Sequence, residues 1–409
     1  MKIIHPDSIL KGELTIAGSK SESNRALMIH AYLGQKCELV NMSDSNDTRL
    51  LSKLLDEIDN ASGDAAHTID CADAGTVCRF LLSYLAQKKG TWLLTGTERL
   101  RQRPIAPLVE ALRCMGADIH YSQQEGHLPI AIKGGELRPI DIEIDVSESS
   151  QFASSLLMLL PTFHASVRMK LAGDPSSMPY VDMTIAMMNH FGAKVSREDN
   201  VIRVSSSEYV PKRFVVSPDW SSASYWLEAA ALSRECHLVL KNLSDNSLQG
   251  DRVAVDMFRE LGVDCAFTAE GLEITKFKSA DDDLIFNFLY NPDLFPAVSV
   301  ACAALCDRAV LKGVRNLRYK ESDRVEVLIT ELSKMGTEYE VQPDFVIQKK
   351  GIDVCKTPVF STHNDHRIAM SLSMLALCLP SVVILEPDVV QKSYPGFWDD
   401  MYKLGFQDN

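Results

Sequence analysis

The sequence predicts an α/β protein with two domains, and its length and an internal repeat carry that prediction. The chain has 409 residues, which is more than one ordinary hydrophobic core accommodates. Apolar helical segments that begin at Ser149, Ser221, Asp293 and Asp365 start 72 residues apart each time (221−149, 293−221 and 365−293). A period of this length indicates a large supersecondary unit that recurs along the chain.

Two earlier apolar segments belong to the same series at different spacings. They begin at Ser23 (SNRALMIHAYLG) and Gly75 (GTVCRFLLSYLA), with 75−23 = 52 and 149−75 = 74 residues between starts. All six segments carry few charges on any face, so we expect buried helices and not amphipathic surface helices. Six units of this size fit two domains of three units each.

The same succession of elements follows the apolar helices. A short β-rich piece such as TWLLTG or HLVLKNL comes first, and a helix with one polar face comes next (DTRLLSKLLDEI, RVAVDMFRELG, DRVEVLITELSKMG). Most of these second helices close on a glycine, as in CMGADIHY and ELGVDCAF, which suits a left-handed helix end. Alternating segments such as NVIRVSSS, GLEITKF and DFVIQKK then predict strand hairpins. The unit is therefore a helix, a strand, a helix and two strands.

The irregular segment KRFVVSPDWSS, residues 212–222, is the predicted domain boundary. We expect one domain over 19–217. The N-terminal strand region, residues 1–18, is expected to complete a sheet of the other domain, which then comprises 1–18 plus 218–409.

Composition and charge exclude several classes of function. The chain is 46% hydrophobic and 24% charged, with a net charge of −13, so neither nucleic acid nor an anionic membrane is an expected partner. No window of eighteen apolar residues predicts a membrane span. The N-terminus lacks the pattern of a signal or transit peptide, and the ten cysteines form no CxxC pair, so we expect a cytoplasmic protein. The ten histidines show no metal-ligand spacing, so no metal site is expected.

Small donors and cations gather where the predicted helices begin. The stretch AGSKSESNRALMIHAY opens the first helix, and similar groups stand at equivalent points of the later units. Helix starts expose N–H groups and bind anions, and arginine and lysine strengthen such sites. Taken singly, each group is also compatible with an ordinary cap or a solvated charge. Their shared phase in the repeat favours a site for polyanionic ligands, formed by Lys20, Ser21, Arg25, Gly75, Thr76, Arg79, Arg99, Arg101, Arg103, Ser149, Ser150, Gln151, Lys320, Arg324, Arg367 and Lys392.

Few acid–base groups stand at the same points of the repeat. They are Asp293, Glu321 and Asp365, and a carboxylate among cations stays ionised easily and can serve as a base. No Ser-His-Asp arrangement, Walker A motif or GxGxxG motif is evident. The pattern indicates group-transfer chemistry on small phosphorylated metabolites.

An ordered set of motifs resembles one family over residues 12 to 405. GSKSESNRA, DAGTVCRFL, RQRPI, SSQF, SMPYVD, DWSSASY, NPD, KESDRV, NDHRIAM and QKSYPGFW stand in the order typical of the EPSP synthase family, the 3-phosphoshikimate 1-carboxyvinyltransferases. The resemblance implies a two-domain inside-out α/β barrel, with three βαβαββ-type repeats and buried parallel helices in each domain. It also implies an active site in the interdomain cleft, the substrates shikimate-3-phosphate and phosphoenolpyruvate, no metal or organic cofactor, and a monomer.

The resemblance also assigns roles to individual residues. Asp293 would take the proton of the attacking 5-hydroxyl, and Glu321 would protonate the methylene carbon, with Lys20 as the alternative donor. The 19–217 domain would be the shikimate-phosphate side. Binding of shikimate-3-phosphate is implied for Lys20, Ser21, Arg25, Ser149, Ser150, Gln151, Ser177, Asp293, Asn316 and Lys320. Binding of phosphoenolpyruvate is implied for Lys20, Gly75, Arg103, Gln151, Arg324, Arg367 and Lys392.

Three positions depart from residues common in the family, and other functions stay open. Asp73, Phe80 and Glu148 stand near the implied anion sites and bear on substrate affinity. UDP-N-acetylglucosamine 1-carboxyvinyltransferase shares the chemistry, but the loop TERLRQRPIAP lacks the reactive cysteine usual there. A non-catalytic binder of phosphorylated metabolites is a further alternative. An enzyme acting on RNA phosphate ends is disfavoured by the acidic net charge.

Overall fold

The computed structural model describes residues 1–61, 65–174, 176–278, 280, 283–354 and 357–408. It is a mixed α/β structure, which confirms the predicted class. The chain divides into two compact units. The discontinuous unit comprises Met1–Ser19 and Ser217–Asn409, and the continuous unit comprises Lys20–Val216. Within the described ranges, no helix combines the length and the apolar character needed to cross a membrane.

The helices alternate between buried and half-exposed elements along the chain. In chain order they are α1 Lys20–Tyr32, α2 Asn46–Asp59, α3 Gly75–Gln87, α4 Glu98–Arg101, α5 Ala106–Cys114, α6 Gln151–Leu159, α7 Met178–His190, α8 Trp220–Leu232, α9 Ala254–Glu260, α10 Phe295–Leu305, α11 Arg324–Ser333, α12 His366–Met374 and α13 Phe397–Lys403.

The strands are short. They are β1 Lys2–Ile4, β2 Ile9–Thr15, β3 Leu39–Val40, β4 Ala66–Asp70, β5 Gly90–Thr95, β6 Asp118–Tyr121, β7 Ile130–Gly134, β8 Ile142–Asp145, β9 Val167–Ala172, β10 Lys194–Glu198, β11 Val201–Ser205, β12 Phe214–Val215, β13 Glu235–Lys241, β14 Val263–Phe267, β15 Gly271–Lys276, β16 Leu284–Asn287, β17 Ala309–Lys312, β18 Glu338–Val341, β19 Phe345–Lys350, β20 Val359–Phe360, β21 Val382–Ile384 and β22 Gln407–Asp408.

Three helices form the centre of each unit. In the continuous unit α1, α3 and α6 contact one another, and in the discontinuous unit α8, α10 and α12 do so. Nearly every residue of α3, α8 and α12 is buried, as the low charge of the six apolar segments predicts. Each unit has its own hydrophobic core around its three helices.

Several core helices begin one to three residues away from the predicted polar start. The reason is that the polar residue often precedes the helix as its cap. The Asp365 carboxylate accepts a hydrogen bond from the Arg367 backbone N–H before α12 begins. At Asp293 a short 3₁₀ turn, Pro292–Leu294, comes before α10.

Five four-stranded sheets repeat one pattern. Their strand orders are β4-β5-β7-β6, β8-β9-β11-β10, β2-β13-β15-β14, β16-β17-β19-β18 and β20-β21-β1-β22. In each, the first two strands are parallel and the second and third are antiparallel. Parallel neighbours need a crossover connection, and in every sheet a buried core helix lies between the two parallel strands in the order of the repeat.

The N-terminal strands belong to sheets of the discontinuous unit. Strand β2 pairs in parallel with β13, from Ile9 opposite Glu235 to Thr15 opposite Lys241. Strand β1 lies between β21 and β22 and is antiparallel to both. These pairings complete two of the five sheets.

The first repeat is shorter than the others. It has α1, the two-residue strand β3 and α2, and β3 pairs in parallel with β12. Six residues, 60–65, lie between the end of α2 and the start of β4, and no strand falls on the described ones, 60, 61 and 65. The spacing of 52 residues between the first two apolar segments is the sequence signal of this shortening.

Candidate active site

Lys20 stands at the start of α1 beside a buried carboxylate of α2. Its Nζ lies 3.4 Å from Oδ2 of Asp47, and the two side chains are 13% and 5% exposed. The Ser45 hydroxyl caps α2 and thereby fixes the turn from which Asp47 projects. Asp47 therefore holds the ammonium group in place. Sequence reasoning missed Asp47, because no motif in the residues around it indicates that it pairs with a lysine on another helix.

Arg25 connects three helices of the continuous unit. Its Nε donates to Thr184 Oγ1 of α7 at 2.7 Å, and an η-nitrogen donates to Ser154 Oγ of α6 at 3.3 Å. Another η-nitrogen donates to the Ser21 carbonyl at 2.9 Å. Burial lowers the pKa of Arg25 to about 10, so the side chain keeps its charge at neutral pH. Arg25 thus fixes the first turn of α1, including Ser21.

Two guanidinium groups lie against Gly75 at the start of α3, on the side where a side chain would stand. A Cβ placed on Gly75 would lie 2.5 Å from an η-nitrogen of Arg79 and 2.7 Å from an η-nitrogen of Arg103. Arg79 also donates to the Pro104 carbonyl at 3.0 Å. The absence of a side chain at Gly75 lets both cations approach the exposed N–H groups of a helix start. That combination of groups is suited to an anion.

The start of α6 is joined to the start of α3. Gln151 Nε2 donates to Thr76 Oγ1 at 3.0 Å, whereas its buried Oε1 has no hydrogen-bond partner among the described residues. The Ser149 hydroxyl accepts from the Gln151 backbone N–H at 3.3 Å. Ser150 is buried and precedes the helix as its N-terminal flanking residue. A buried amide oxygen without a partner is uncommon, and it fits a ligand-facing role.

Ser177 occupies a strained position before α7. Its φ is +56°, in the left-handed region, and its side chain does not cap the helix. Such a conformation is unfavourable for a residue with a Cβ and is concentrated at functional sites. Because α7 contacts α1 and α6, Ser177 belongs to the same part of the continuous unit as the helix starts above.

Glu148 stands directly before the serine pair and is half-buried. Burial and the nearby Asp145 raise its pKa, while Arg79 and His127 act in the opposite direction. The direction of the shift shows that burial and the neighbouring carboxylate outweigh the two cationic neighbours at this position.

Arg324 is the centre of a charged cluster in the discontinuous unit. The side chain is 1% exposed and contacts three carboxylates: Asp365 at 2.9 Å, Glu321 at 2.8 Å and Asp293 at 3.0 Å. Burial alone would lower the pKa of Arg324, but the three carboxylates outweigh burial and raise it above its usual value. A buried guanidinium of this kind is a fixed positive charge.

Asp293 bridges two arginines. One carboxylate oxygen accepts from Arg324 at 3.0 Å and the other from Arg367 at 2.7 Å. Burial would raise the pKa of Asp293, but Arg367, Arg324 and Lys320 together hold it well below its usual range. Asp293 is therefore an ionised carboxylate held between two fixed guanidinium groups.

Sequence reasoning missed two residues near this cluster, Tyr225 and Asp251. Arg367 donates to the Tyr225 hydroxyl of α8 at 3.2 Å. Asp251 is buried, accepts from Asn291 Nδ2 at 3.1 Å, and has a raised pKa because of burial and the negative charge of Asp293. The only sequence signal for Asp251 is its phase, since it precedes Asp323, the cap of α11, by 323−251 = 72 residues.

Three further predicted residues lie on, or directly after, 3₁₀ segments. Asn316, on Arg315–Tyr319, is buried, and neither amide atom has a hydrogen-bond partner among the described residues. Lys320 follows that segment directly, and Lys392 is the buried last residue of Pro387–Lys392. The amide of Asn316 is thus available to a ligand. The positive charge of Lys320 helps to lower the pKa of Asp293.

Within the described ranges, no group of three or more His, Cys, Asp or Glu side chains is arranged to hold a metal ion.

Comparisons with known proteins agree on one family. The family model for EPSP synthase (3-phosphoshikimate 1-carboxyvinyltransferase) matches residues 4–401. The chain is 38% identical to the 3-phosphoshikimate 1-carboxyvinyltransferase of Bacteroides fragilis (strain YCH46) over 407 residues, covering 99% of this chain and 98% of that protein. It is 34% identical to the protein of the same name from Pasteurella multocida (strain Pm70), covering 98% and 97%.

Two solved structures have the same fold. EPSP synthase from Acinetobacter baumannii superposes with a TM-score of 0.77 at 24% identity, covering 99% of this chain and 98% of that one. The enolpyruvyl transferase NikO from Streptomyces tendae superposes with a TM-score of 0.75 at 16% identity, covering 99% and 97%.

Proposed function

The chain belongs to the EPSP synthase family, and from that premise we propose how its residues perform the reaction. The enzyme transfers the enolpyruvyl group of phosphoenolpyruvate to the 5-hydroxyl of shikimate-3-phosphate and releases phosphate, a step of aromatic amino acid biosynthesis. The observation that carries the proposal is the buried cluster in which Asp293 bridges Arg324 and Arg367.

Charge is the first obstacle that the two substrates present. Phosphoenolpyruvate carries a phosphate and a carboxylate, as does shikimate-3-phosphate, so the two repel each other in water. Fixed cations and helix starts offset that repulsion and align the reacting atoms. Gly75, Arg103 and Gln151 in the continuous unit are proposed to bind phosphoenolpyruvate, as are Arg324, Arg367 and Lys392 in the discontinuous unit. Lys20 is proposed to contact both substrates.

Shikimate-3-phosphate is proposed to bind neutral donors at helix starts together with a few cations. The hydroxyls of Ser149, Ser150 and Ser177, with Gln151, would hold its phosphate and ring. Ser21 and Arg25 would contribute from the first turn of α1. In the discontinuous unit, Asn316 supplies a buried amide without a hydrogen-bond partner among the described residues, and Lys320 supplies a positive charge.

Asp293 is the proposed general base for the 5-hydroxyl. A carboxylate whose pKa lies far below neutrality is a weak base, and Arg367, Arg324 and Lys320 together cause that low pKa here. When oxygens of phosphoenolpyruvate take hydrogen bonds from Arg324 and Arg367, Asp293 loses part of its stabilisation and its basicity rises. Binding of the second substrate would thereby activate the base at the moment when the hydroxyl must lose its proton.

Glu321 or Lys20 is proposed to protonate the methylene carbon. Protonation there develops positive charge at the neighbouring carbon, which the 5-hydroxyl oxygen attacks to give a tetrahedral adduct. Loss of a proton from the new methyl group and of phosphate from the adduct then restores the enol double bond. Glu321 lies 2.8 Å from Arg324, close to the proposed base, whereas Lys20 is held by Asp47 in the continuous unit.

The remaining expectations are part of the same proposal. We propose that the enzyme acts in the cytoplasm as a monomer on these two small molecules, without a nucleic-acid or membrane partner.

The test is phosphate release by the purified protein with phosphoenolpyruvate and one of two acceptors. Shikimate-3-phosphate is supplied in one reaction and UDP-N-acetylglucosamine in the other. Release with shikimate-3-phosphate alone is the expected result. Release with the UDP-sugar alone would assign the chain the other carboxyvinyl transfer, and tight binding of shikimate-3-phosphate without any release would indicate a non-catalytic binder.

A further inference from the structure

Glu331 is a buried carboxylate of α11 that the proposed chemistry does not use. Its side chain is 2% exposed. One oxygen accepts from the Ser361 backbone N–H at 3.0 Å and from the Lys334 ammonium, and the other lies 2.9 Å from Nε2 of His363. The carboxylate therefore binds α11 to the segment 361–365, which connects β20 to α12.

That segment has an unfavourable backbone of its own. His363 and Asn364 both have positive φ, +49° and +57°, although both residues carry a Cβ. Consecutive left-handed residues persist only when their surroundings hold them. The Glu331 carboxylate accepts hydrogen bonds from the Ser361 backbone N–H and the His363 ring, and these two bonds supply such support at the turn.

The far end of the segment is held by the same helix. Asp365 accepts hydrogen bonds from Arg324 Nε at 2.9 Å and from Ser322 Oγ at 3.0 Å, and its other oxygen accepts from the Arg367 backbone N–H at 3.0 Å. Arg324 opens α11 and Glu331 lies two turns later. Helix α11 therefore holds the segment at both ends, and the segment in turn sets where Arg324 and Arg367 lie.

We propose that Glu331 is a positioning residue for phosphoenolpyruvate. By fixing Ser361 and His363 it fixes Asp365, which orients the Arg324 guanidinium and caps α12, the helix that carries Arg367. The inference rests on the proposed function, since Arg324 and Arg367 are the groups proposed there to bind phosphoenolpyruvate. The contacts of Glu331 are with Ser361, His363 and Lys334, so its effect on the arginines passes through the segment.

The test compares Glu331→Ala and Glu331→Gln with the wild type. The matched control is Glu326→Ala, because Glu326 is an exposed glutamate on the same helix. We expect Glu331→Ala to raise the KM for phosphoenolpyruvate about tenfold, the size of effect expected when a charged hydrogen-bond partner is lost. Binding of shikimate-3-phosphate alone, measured by calorimetry, should change less than about twofold. Glutamine keeps an acceptor for Ser361 and can donate to the other His363 tautomer, so Glu331→Gln should recover most of the affinity.

Amide hydrogen exchange gives a readout that does not depend on turnover. Exchange of residues 361–365 should accelerate in Glu331→Ala while α11 stays protected. If Glu331→Ala does not fold, His363→Ala removes one of the contacts from a half-exposed side chain, and the same selective rise in KM is expected at about threefold.

The outcomes separate the two proposals. An equal loss of affinity for both substrates, an unchanged KM for phosphoenolpyruvate, or unchanged exchange at 361–365 would overturn the positioning role. A wild-type protein without turnover would refute the proposed function, while the exchange measurement would still decide whether Glu331 holds the segment.

Discussion

Replacing Gly75 by alanine should displace two cations without unfolding the protein. The new Cβ would lie 2.5 Å from an η-nitrogen of Arg79, and at 2.7 and 2.9 Å from an η-nitrogen and Cζ of Arg103. Ordinary contacts to a Cβ begin at 3.4 Å, so Arg79 must move by 3.4−2.5 = 0.9 Å and Arg103, the proposed ligand of phosphoenolpyruvate, by 3.4−2.7 = 0.7 Å. Arginine side chains are flexible, and movement of their ends is the least costly response.

The displacement sets the size of the expected effect. A misplacement of about 1 Å at a substrate-binding group can cost about 100-fold, and loss of one charged hydrogen bond costs about 1.5–3 kcal/mol. We therefore expect the KM for phosphoenolpyruvate to rise about 10- to 100-fold. Gly75 begins α3 outside the left-handed region, and alanine favours a helix by up to about 1 kcal/mol over glycine. The Tm should therefore change little.

Steady-state kinetics with varied phosphoenolpyruvate and saturating shikimate-3-phosphate measure the effect. Gly135→Ala is the control, because a Cβ at Gly135 would have no neighbour within 4 Å. A KM for Gly75→Ala within twofold of the wild type would refute the inference that the two arginines need the space left by the missing side chain. A large fall in Tm would show that the clash is relieved by the backbone instead.

Three more substitutions test the charged cluster and the core of the discontinuous unit. Asp293→Asn should lower kcat about 100- to 10,000-fold with both substrates still bound in calorimetry, and a kcat within tenfold of the wild type would contradict the role of Asp293 as base. Asp365→Asn removes a buried partner of Arg324 and should lower the free energy of unfolding in urea by about 3 kcal/mol while raising the KM for phosphoenolpyruvate; unchanged stability would contradict the contribution assigned to this pair. Burial raises the pKa of Glu228 well above its usual value of 4.5, so the unfolded chain releases a proton that the folded chain keeps, and the wild type loses stability as the pH rises above about 4.5. Glu228→Gln should remove this loss, with a gain that grows by about 1.4 kcal/mol per pH unit above 4.5 until the folded-state pKa is reached; a gain that is constant from pH 4 to 8 would be inconsistent with a buried neutral carboxyl.

The repeat could be predicted from sequence because its signal is local and periodic. Runs of apolar residues indicate buried helices wherever they occur, and a fixed spacing relates one run to the next. The spacing of 52 residues also marks the first repeat as different, and the structure shows that only six residues, 60–65, separate α2 from β4. Helix starts were predicted less well, because a cap such as Asp365 looks the same in sequence whether it precedes the helix or belongs to it.

The partners of the site residues could not be predicted, because they are distant in sequence. Arg25 is predicted as a substrate ligand, and its guanidinium also donates to Thr184, a partner 159 positions away that no local signal indicates. Asp365 is predicted as an acid–base candidate, and its buried carboxylate also accepts a hydrogen bond from Arg324, 41 positions away. No composition or spacing rule distinguishes a charge that faces a ligand from one that holds another charge.

The pairing of β2 with β13 has a consequence for synthesis of the chain. Ile9 pairs with Glu235, so 235−9 = 226 further residues must be translated before β2 has its partner, which takes roughly 11 to 45 seconds at about 5–20 residues per second. The continuous unit lies wholly within that interval and can fold meanwhile. During the wait β2 is an unprotected edge that could pair with a neighbouring nascent chain. Lys11, Gly12 and Glu13 form its exposed middle, and charges on an edge strand discourage such association.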